Sequence, residues 1–317
     1  YLKENSTLNS QMLGKNGDYI NIIIRPKMES DFPAMVSSIR EITAPFENSY
    51  DFHFGGQPYI AGKVPGLIRI ETQKLMLVGL IIMSVILLAN LRSLSAVCMI
   101  LSVIIMSMLS MMGFLGWIYH FSGSDYFVFT FVNSSMPIVL LTIANSDGVH
   151  IMSRFFREAR KHKDVNKAIT LTINQVLLPI FLTSITTTVA FLTMLTSPIT
   201  AMTGYGLSIG FGILWAWILS STFLPALIKL KKWNFLTSAL TKPSFLENMI
   251  NIFGRNILKR PKIVLFAGII IILISSFGIH DINVEVNLVN LFKPGNTIRE
   301  STFFLDREMA GSMNLMM

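Results

Sequence analysis

Cysteine and charge are both scarce in this sequence. Cys98 is the single cysteine among 317 residues, so no disulfide can form within the chain. Charged side chains are 14% of the residues against 52% hydrophobic ones, and the mean hydropathy is +0.57. This balance is typical of a membrane protein and excludes a soluble enzyme. Because the chain begins at Tyr1 and has no short cleavable apolar segment, we expect a fragment of a longer protein.

Nucleotide-binding and metalloprotease signatures are missing as well. The chain contains no Walker loop, no His-Glu-x-x-His motif and no pair of cysteines. An ATP-driven pump or a metalloenzyme is therefore not expected from these residues. We predict that the chain is not an enzyme, with neither a catalytic site nor a metal site.

Long uncharged windows are the most informative feature that is present. A helix needs about 20 apolar residues to cross the hydrocarbon core of a bilayer. The windows predict six spans, at about 75–91, 94–119, from 131 onward with an acid inside, 171–194, 203–228 and 263–279. The pair Ser197-Pro198 marks the turn between the fourth span and the fifth.

Lysine and arginine are distributed unevenly among the loops that join these spans. Alternate loops carry fifteen of them, whereas the intervening loops at 122–126 and 197–200 carry none. Since cytoplasmic loops hold the excess of basic residues, we predict that the basic loops are cytoplasmic and that both chain ends lie outside. This topology accounts for the net charge of +8 without a nucleic-acid partner.

The polar ends are predicted to belong to outer aqueous domains. Alternating segments at 19–25 and 50–54 bracket a helical pattern at 32–42, which predicts a β-α-β unit, and a helix from Pro58 to Lys74 then leads into the first span. After the last span, 284–291 predicts a strand and 297–309 a helix.

The expected fold class is therefore mainly α, a polytopic membrane protein with six transmembrane helices and partial α/β domains at both ends. The predicted domains are 1–72, a five-helix bundle at 73–229, a cytoplasmic linker at 230–261, the sixth span at 262–280 and a second outer domain at 281–317.

The cytoplasmic linker contains an amphipathic pattern. Ser244 and Glu247 have the spacing of a capping box. Apolar residues follow at helical intervals, namely Phe245, Leu246, Met249, Ile250, Phe253 and Ile257. The pattern predicts a helix on the membrane surface, with Arg255, Lys259 and Arg260 toward lipid headgroups. A linker helix without a membrane role is the alternative.

Asp147 is the exceptional residue of the spans. A carboxylate inside a span costs roughly 2.5–3.5 kcal/mol on insertion scales and is retained mostly where it faces a cavity, a partner or a proton path. Asp147 lies seven residues before Arg154, which is about 10 Å along a helix axis, and His150 is one turn away. The position favours a proton relay formed by Asp147 and His150. A purely structural role is the alternative, in which Asp147 only pairs with a neighbouring helix or with Arg154 or His150 across one or two turns.

Two further patterns lie on the fourth and fifth spans. Thr183 and Thr187 are one turn apart in a hydroxyl-rich helix, and they are candidates to face an acid on a neighbouring helix and support the relay. Hydroxyls of this kind also bond commonly to carbonyls of their own helix. Gly206 and Gly210 have the spacing that permits close helix packing.

The order of these features resembles the resistance-nodulation-division (RND) superfamily, most closely its MMPL-like group of predicted exporters. The segment from Asp147 to Arg154, the hydroxyl pairs at 183–184 and 187–188, the glycines at 206–210 and the segment 224–227 resemble that family's transmembrane helices four to six. The resemblance implies helices two to seven of a longer protein, with residues 1–72 as the end of a periplasmic porter domain. The chain departs from many lipid exporters of the group in one respect, because Gly148 stands where they have an aromatic residue after the acid.

The resemblance implies a secondary transporter of the bacterial inner membrane that uses the proton-motive force to move lipids or other hydrophobic compounds outward. Protons are then the coupling ion, and no other cofactor is expected. The expected partners are a hydrophobic substrate, membrane lipids, and further copies of the chain or periplasmic subunits. Spans one to five also resemble the sterol-sensing-domain arrangement, so a lipid sensor or scaffold is one alternative. A Sec-type accessory subunit for protein export is another.

Overall fold

The computed structural model describes residues 13–14, 18–27, 31–130, 132–241, 245–283 and 287–308. Its helices are α1 (Phe32–Thr43), α2 (Gln57–Leu91), α3 (Leu94–Ser122), α4 (Met136–His162), α5 (Val165–Leu192), α6 (Thr200–Leu230), α7 (Ser238–Thr241), α8 (Phe245–Lys259), α9 (Pro261–Gly278) and α10 (Thr297–Glu308). Helices α2 to α6 and α9 are long and apolar enough to cross a membrane. The six predicted spans are therefore confirmed, and the predicted lead-in helix is the start of α2.

Two of the connections between spans are tight and use the same pair of local features. Arg92 and Lys163 both have a left-handed backbone, with φ of 52°, which ends the preceding helix. The next residue caps the following helix: Ser93 accepts a hydrogen bond from the amide of Ala96, and Asp164 accepts one from the amide of Lys167. Helices α2 and α3, and helices α4 and α5, are therefore joined by only two residues each.

The chain forms two compact units, one of residues 70–267 and the other of residues 1–69 with 268–317. In the larger unit the core lies among α3, α4, α5 and α6. Its largest fully buried side chains include Ile100, Ile104, Met111, Met136, Leu140, Ile151, Met152, Phe155, Ile209, Ile213, Leu224 and Ile228. These four helices form the scaffold that positions the candidate site.

The smaller unit contains α1, which begins with Asp31 as its cap and buries Val36. Aromatic rings join its separate segments: His53 stacks on Phe304 of α10 at 3.9 Å between ring centroids, and Phe54 stacks on Tyr59 at 5.3 Å. The helices predicted at 32–42 and from residue 297 are present in this unit. Met309, the predicted end of the second of these helices, lies outside the described residues.

The predicted strands are not formed in the described residues. The backbone at 21–27 and 51–55 is irregular, and an isolated bridge between Leu13 and Ile20 is the described β-pairing near them. The described part of the third predicted strand, Leu288–Leu291, is a 3-10 turn, whereas 284–286 lies outside the described residues. An extended segment becomes a strand only when a neighbour completes its hydrogen bonds, and alternation alone supplies no neighbour. The prediction of α/β units at the ends is therefore wrong for the strands that the structure describes.

Candidate functional site

Asp147 lies at the contact between α4 and α5. Its side chain is buried, with only 7% of the residue exposed. Oδ2 accepts a hydrogen bond from the Ser184 hydroxyl at 3.2 Å, across the interface between the two helices. Within the described part of the chain, Asp147 forms no ion pair. The acid is thus held by a neutral donor, which leaves it free to change charge without breaking an ion pair.

The apolar periodicity of α4 explains why this acid is buried. Leu140, Ala144, Ile151 and Phe155 are buried at the helical spacing that also contains Asp147. Asp147 therefore occupies a core position of an otherwise apolar face. A buried polar group is costly unless it is hydrogen-bonded, so the Ser184 hydroxyl is part of what makes this position tolerable.

Gly148 lets α3 approach α4 beside the acid. A Cβ atom at this position would lie 3.1 Å from Cγ2 of Ile100 on α3, which is closer than ordinary van der Waals contact. An aromatic side chain, as found after the acid in many lipid exporters of the resembled group, has no room here unless α3 moves. The glycine therefore brings α3 within contact distance of the acid-bearing turn.

His150 and Arg154 do not reach the acid. His150 is exposed on the surface of the bundle, whereas Asp147 is buried. Nη2 of Arg154 contacts Oε1 of Glu158 at 2.9 Å and also donates a hydrogen bond to Gln175 of α5. The pairing of Asp147 with either residue is therefore not observed, whereas the pairing with a neighbouring helix is present as the hydrogen bond from Ser184.

The structure does not bring Thr183 and Thr187 to the acid. The Thr183 hydroxyl donates to the carbonyl oxygen of Ile180 at 2.9 Å, and the Thr187 hydroxyl donates to that of Thr183 at 2.7 Å. Both hydroxyls thus bond to their own helix, the alternative already considered for them. The expectation that they face the acid is therefore wrong, and the hydroxyl that contacts Asp147 is that of Ser184, which lies between them in the sequence.

Sequence reasoning noted Ser184 only as part of the hydroxyl pair at 183–184, without a role beside the acid, and it missed Asn145. Ser184 follows Ile180 and precedes Thr188 by four residues each, and all three are buried, so this stripe marks the inner face of α5. Asn145 lies two residues before Asp147, and its Oδ1 atom is buried without a hydrogen-bond partner in the described structure. The sequence did contain a signal for Asn145, because it places an amide and an acid within three residues of one span.

Gly206 and Gly210 lie where α6 packs on α5. A Cβ atom on Gly206 would collide with the carbonyl oxygen of Phe191, and one on Gly210 would lie 3.3 Å from Leu192 Cδ2. The Thr188 hydroxyl donates across this interface to the Gly210 carbonyl at 3.4 Å. Close approach of the two helices depends on these two missing side chains.

Ser208 completes a Gly-x-Ser-x-Gly spacing from residue 206 to residue 210. In hydrolases, this motif places the serine on an exposed turn between a strand and a helix. Here Ser208 is buried in the middle of α6, with 1% of the residue exposed. The spacing therefore belongs to helix packing and does not provide a nucleophile.

A second charged cluster lies at the carboxyl end of α4. Glu158 is buried and contacts the basic groups of Arg154, Lys161 and His162 at 2.9, 3.5 and 3.7 Å. Arg160 donates two hydrogen bonds to the carboxylate of Glu247 on α8, at 3.0 and 2.8 Å. In the part of the chain that the structure describes, no three His, Cys, Asp or Glu side chains are grouped to hold a metal ion.

Comparison with known proteins gives a family match. The sequence model of the MMPL family matches residues 3–264, a range that includes Asp147, Ser184 and the packing glycines of α6. The membrane protein MJ1562 of Methanocaldococcus jannaschii is 30% identical over 94 residues. That alignment covers 30% of this chain and 24% of the relative, so the two proteins share about a quarter of the relative's length.

Proposed function

Because the chain belongs to the MMPL family, we propose that it forms the proton-coupling part of a secondary transporter that exports hydrophobic compounds. The MMPL family is a family of membrane transporters, and the six apolar helices fit a multi-pass membrane protein. The observation that carries the proposal is the buried Asp147 with Ser184 as its hydrogen-bond donor. Lipids or other apolar molecules are the proposed substrates, and the bacterial inner membrane is the proposed location.

The hydrogen bond between α4 and α5 suits a group that gains and loses a proton. An ionised carboxylate only accepts hydrogen bonds, whereas a protonated carboxyl also donates one. Protonation of Asp147 therefore changes both the charge in the helix core and the direction of bonding available to Ser184. A change of this kind favours one packing of two helices over another, which is how a local proton event drives a larger rearrangement.

Transport by the full-length protein in inside-out vesicles tests this proposal. A fluorescent apolar compound should accumulate when a proton gradient is imposed, and a protonophore should abolish the accumulation. Transport that persists without the gradient would contradict proton coupling. Binding of the compound without any movement would instead support the lipid-sensor alternative.

Ser184 provides a sharper test, because Thr183 is a matched control on the same helix. Ser184→Ala removes the donor to Asp147, whereas Thr183→Val removes a hydroxyl that bonds within α5. A hydrogen bond to a charged group contributes about 1.5–3 kcal/mol, so we expect about a tenfold or greater fall in proton-driven transport for Ser184→Ala. Thr183→Val should stay close to wild type. Equal transport rates in the two variants would show that Ser184 does not support the acid.

The proposed topology places residues 154–168 and 229–262 in the cytoplasm and both described ends outside. We expect a single cysteine at Ser197 to react with an impermeant thiol reagent in intact cells, and one at Lys163 to react only after the cells are opened. Cys98 lies exposed on the bundle surface and must first be replaced by alanine. The reverse labelling pattern would overturn the assignment of sides.

A further inference from the structure

Helix α8 presents an apolar face that the described structure leaves uncovered. Met249, Ile250 and Phe253 are 50%, 65% and 67% exposed, respectively. They fall on one side of the helix, since their spacing of one to four residues keeps them within about 100° of each other. A cluster of this size on a helix of fifteen residues requires a cover of matching chemistry.

The connection that contains α8 is anchored to spans at both ends. Helix α6 ends at Leu230 and α9 begins at Pro261, and both helices are apolar enough to cross a membrane. The intervening chain therefore starts and finishes at the same membrane surface. It cannot move far from that surface, because the helix occupies half of its length.

The charges of this connection complement an anionic surface. Residues 229–262 contain eight lysines and arginines but one acidic residue, Glu247. Arg255, Lys259 and Arg260 are exposed. Arg255 and Lys259 lie about 160° and 120° around the helix axis from Phe253, on the polar face of α8. Each basic residue close to an anionic leaflet adds electrostatic attraction to it. The single acid that would oppose this attraction is paired with Arg160 of α4 instead.

We infer that α8 lies in the anionic headgroup layer of the inner leaflet, with Met249, Ile250 and Phe253 toward the acyl chains. Glu247 then links this lipid-bound helix to the acid-bearing helix. Its carboxylate accepts both hydrogen bonds from Arg160, and Nε of Arg157 lies 3.6 Å away. The position of α8 in the leaflet is thereby transmitted to the end of α4, thirteen residues beyond Asp147.

The lipid contact can be tested on the full-length protein in nanodiscs of phosphatidylcholine and phosphatidylglycerol. With Cys98 replaced, a fluorophore is attached to a single cysteine at Phe253 or at Leu258, which lies about 140° around the helix from Phe253. We expect spin-labelled lipid to quench the label at 253 several-fold more than the label at 258, and aqueous iodide to show the opposite order. Iodide access to both labels would overturn the proposal. Shielding of the 253 label from both quenchers would mean that a protein covers the face, which also overturns it.

A change of lipid composition tests the contribution of charge separately from that of the apolar face. In nanodiscs of phosphatidylcholine alone, quenching at 253 by acrylamide, a neutral aqueous quencher that the lipid charge does not repel, should rise several-fold relative to nanodiscs that contain phosphatidylglycerol. Unchanged quenching would overturn the electrostatic part of the inference. Neither measurement depends on proton-driven transport, so failure here and failure of the proposed function are distinguishable.

The link through Glu247 is tested by distance measurements between spin labels at residues 163 and 253. In Glu247→Gln the distance distribution should broaden, and Arg160→Gln should broaden it to a smaller extent, because Arg157 remains 3.6 Å from Glu247. The double variant should add little broadening beyond that of Glu247→Gln, because Glu247→Gln alone already removes the acceptor shared by Arg160 and Arg157. Glu71→Gln is the matched control, since Glu71 pairs with Lys74 on an exposed part of α2. An unchanged distribution in Glu247→Gln would overturn the linking role.

Discussion

Replacing Asp147 with asparagine in the full-length protein should reduce proton-driven export to background while expression stays at the wild-type level. Asparagine is nearly isosteric with aspartic acid, and its side-chain oxygen can still accept the hydrogen bond from Ser184 at the same place. The substitution therefore removes the ability to change charge and preserves the packing of α4 on α5. Transport in inside-out vesicles, normalised to the amount of protein in the membrane, measures the effect.

Asp125→Asn is the matched control for this experiment. Asp125 is exposed in the short turn before α4, so the same chemical change there should leave transport unaffected. Wild-type export by the Asp147→Asn protein would remove the proton relay and leave the sensor alternative. His150→Gln should cause at most a graded loss, because the exposed imidazole does not contact the acid.

Replacing Gly206 with valine should destabilise the bundle by about 3 kcal/mol, at the upper end of the range for an overpacked core. The added Cβ would collide with the backbone carbonyl of Phe191 and would lie 2.8 Å from Cβ of Met194. Neither atom is the flexible end of a side chain, so the helices α5 and α6 must separate to relieve the overlap. Thermal unfolding in detergent, followed by size-exclusion chromatography, should show a lower midpoint and less monodisperse protein.

Gly113 of α3 is the control for Gly206. A Cβ atom at Gly113 would meet nothing within 4 Å. Gly113→Ala should therefore be neutral or should stabilise the protein by roughly 0.5–1 kcal/mol, because alanine loses less backbone entropy in a helix. If Gly206→Val and Gly113→Ala had the same unfolding midpoint, the close packing of α5 on α6 would be disproved.

The spans could be predicted because the bilayer imposes a simple rule on composition. A charge inside a span is expensive, so the intervals between charges bound the helices without any knowledge of their packing. The residues at which the helices end could be predicted less well. Helix α4 continues to His162, beyond the first charge that bounds its uncharged window, because Phe155, Phe156 and Ala159 remain buried on its apolar face. Arginine, which stands between them, is also a good helix former.

The acid of the candidate site could also be predicted, whereas its partner could not. Asp147 is exceptional on its own, since any carboxylate in a span requires an explanation. Thr183, Ser184 and Thr187 are chemically equivalent donors, and choosing among them requires the rotation of α5 about its axis. That rotation is decided by packing against α4 and α6, including the hydrogen bond from Thr188 to Gly210.

The prediction of strands was wrong for a related reason. Residues 19–25 alternate in the manner of a strand, but pairing depends on a second segment at the correct distance and register. In the described structure, the isoleucines at 20, 22, 23 and 24 are all exposed. Period-two alternation therefore identified a segment with strand propensity and could not identify its partner.

The hydrogen bond between Ser184 and Asp147 has a consequence for biosynthesis. The two residues are 37 positions apart, so the ribosome adds Asp147 well before its donor exists. At about 5–20 residues per second, the carboxyl group waits roughly 2–7 s for the serine. During this interval, the apolar residues of the nascent α4 must offset an insertion cost of roughly 2.5–3.5 kcal/mol without help from α5. The acid-bearing helix must therefore enter the membrane on the strength of its own apolar residues, before the helix that supplies its hydrogen-bond donor has been synthesised.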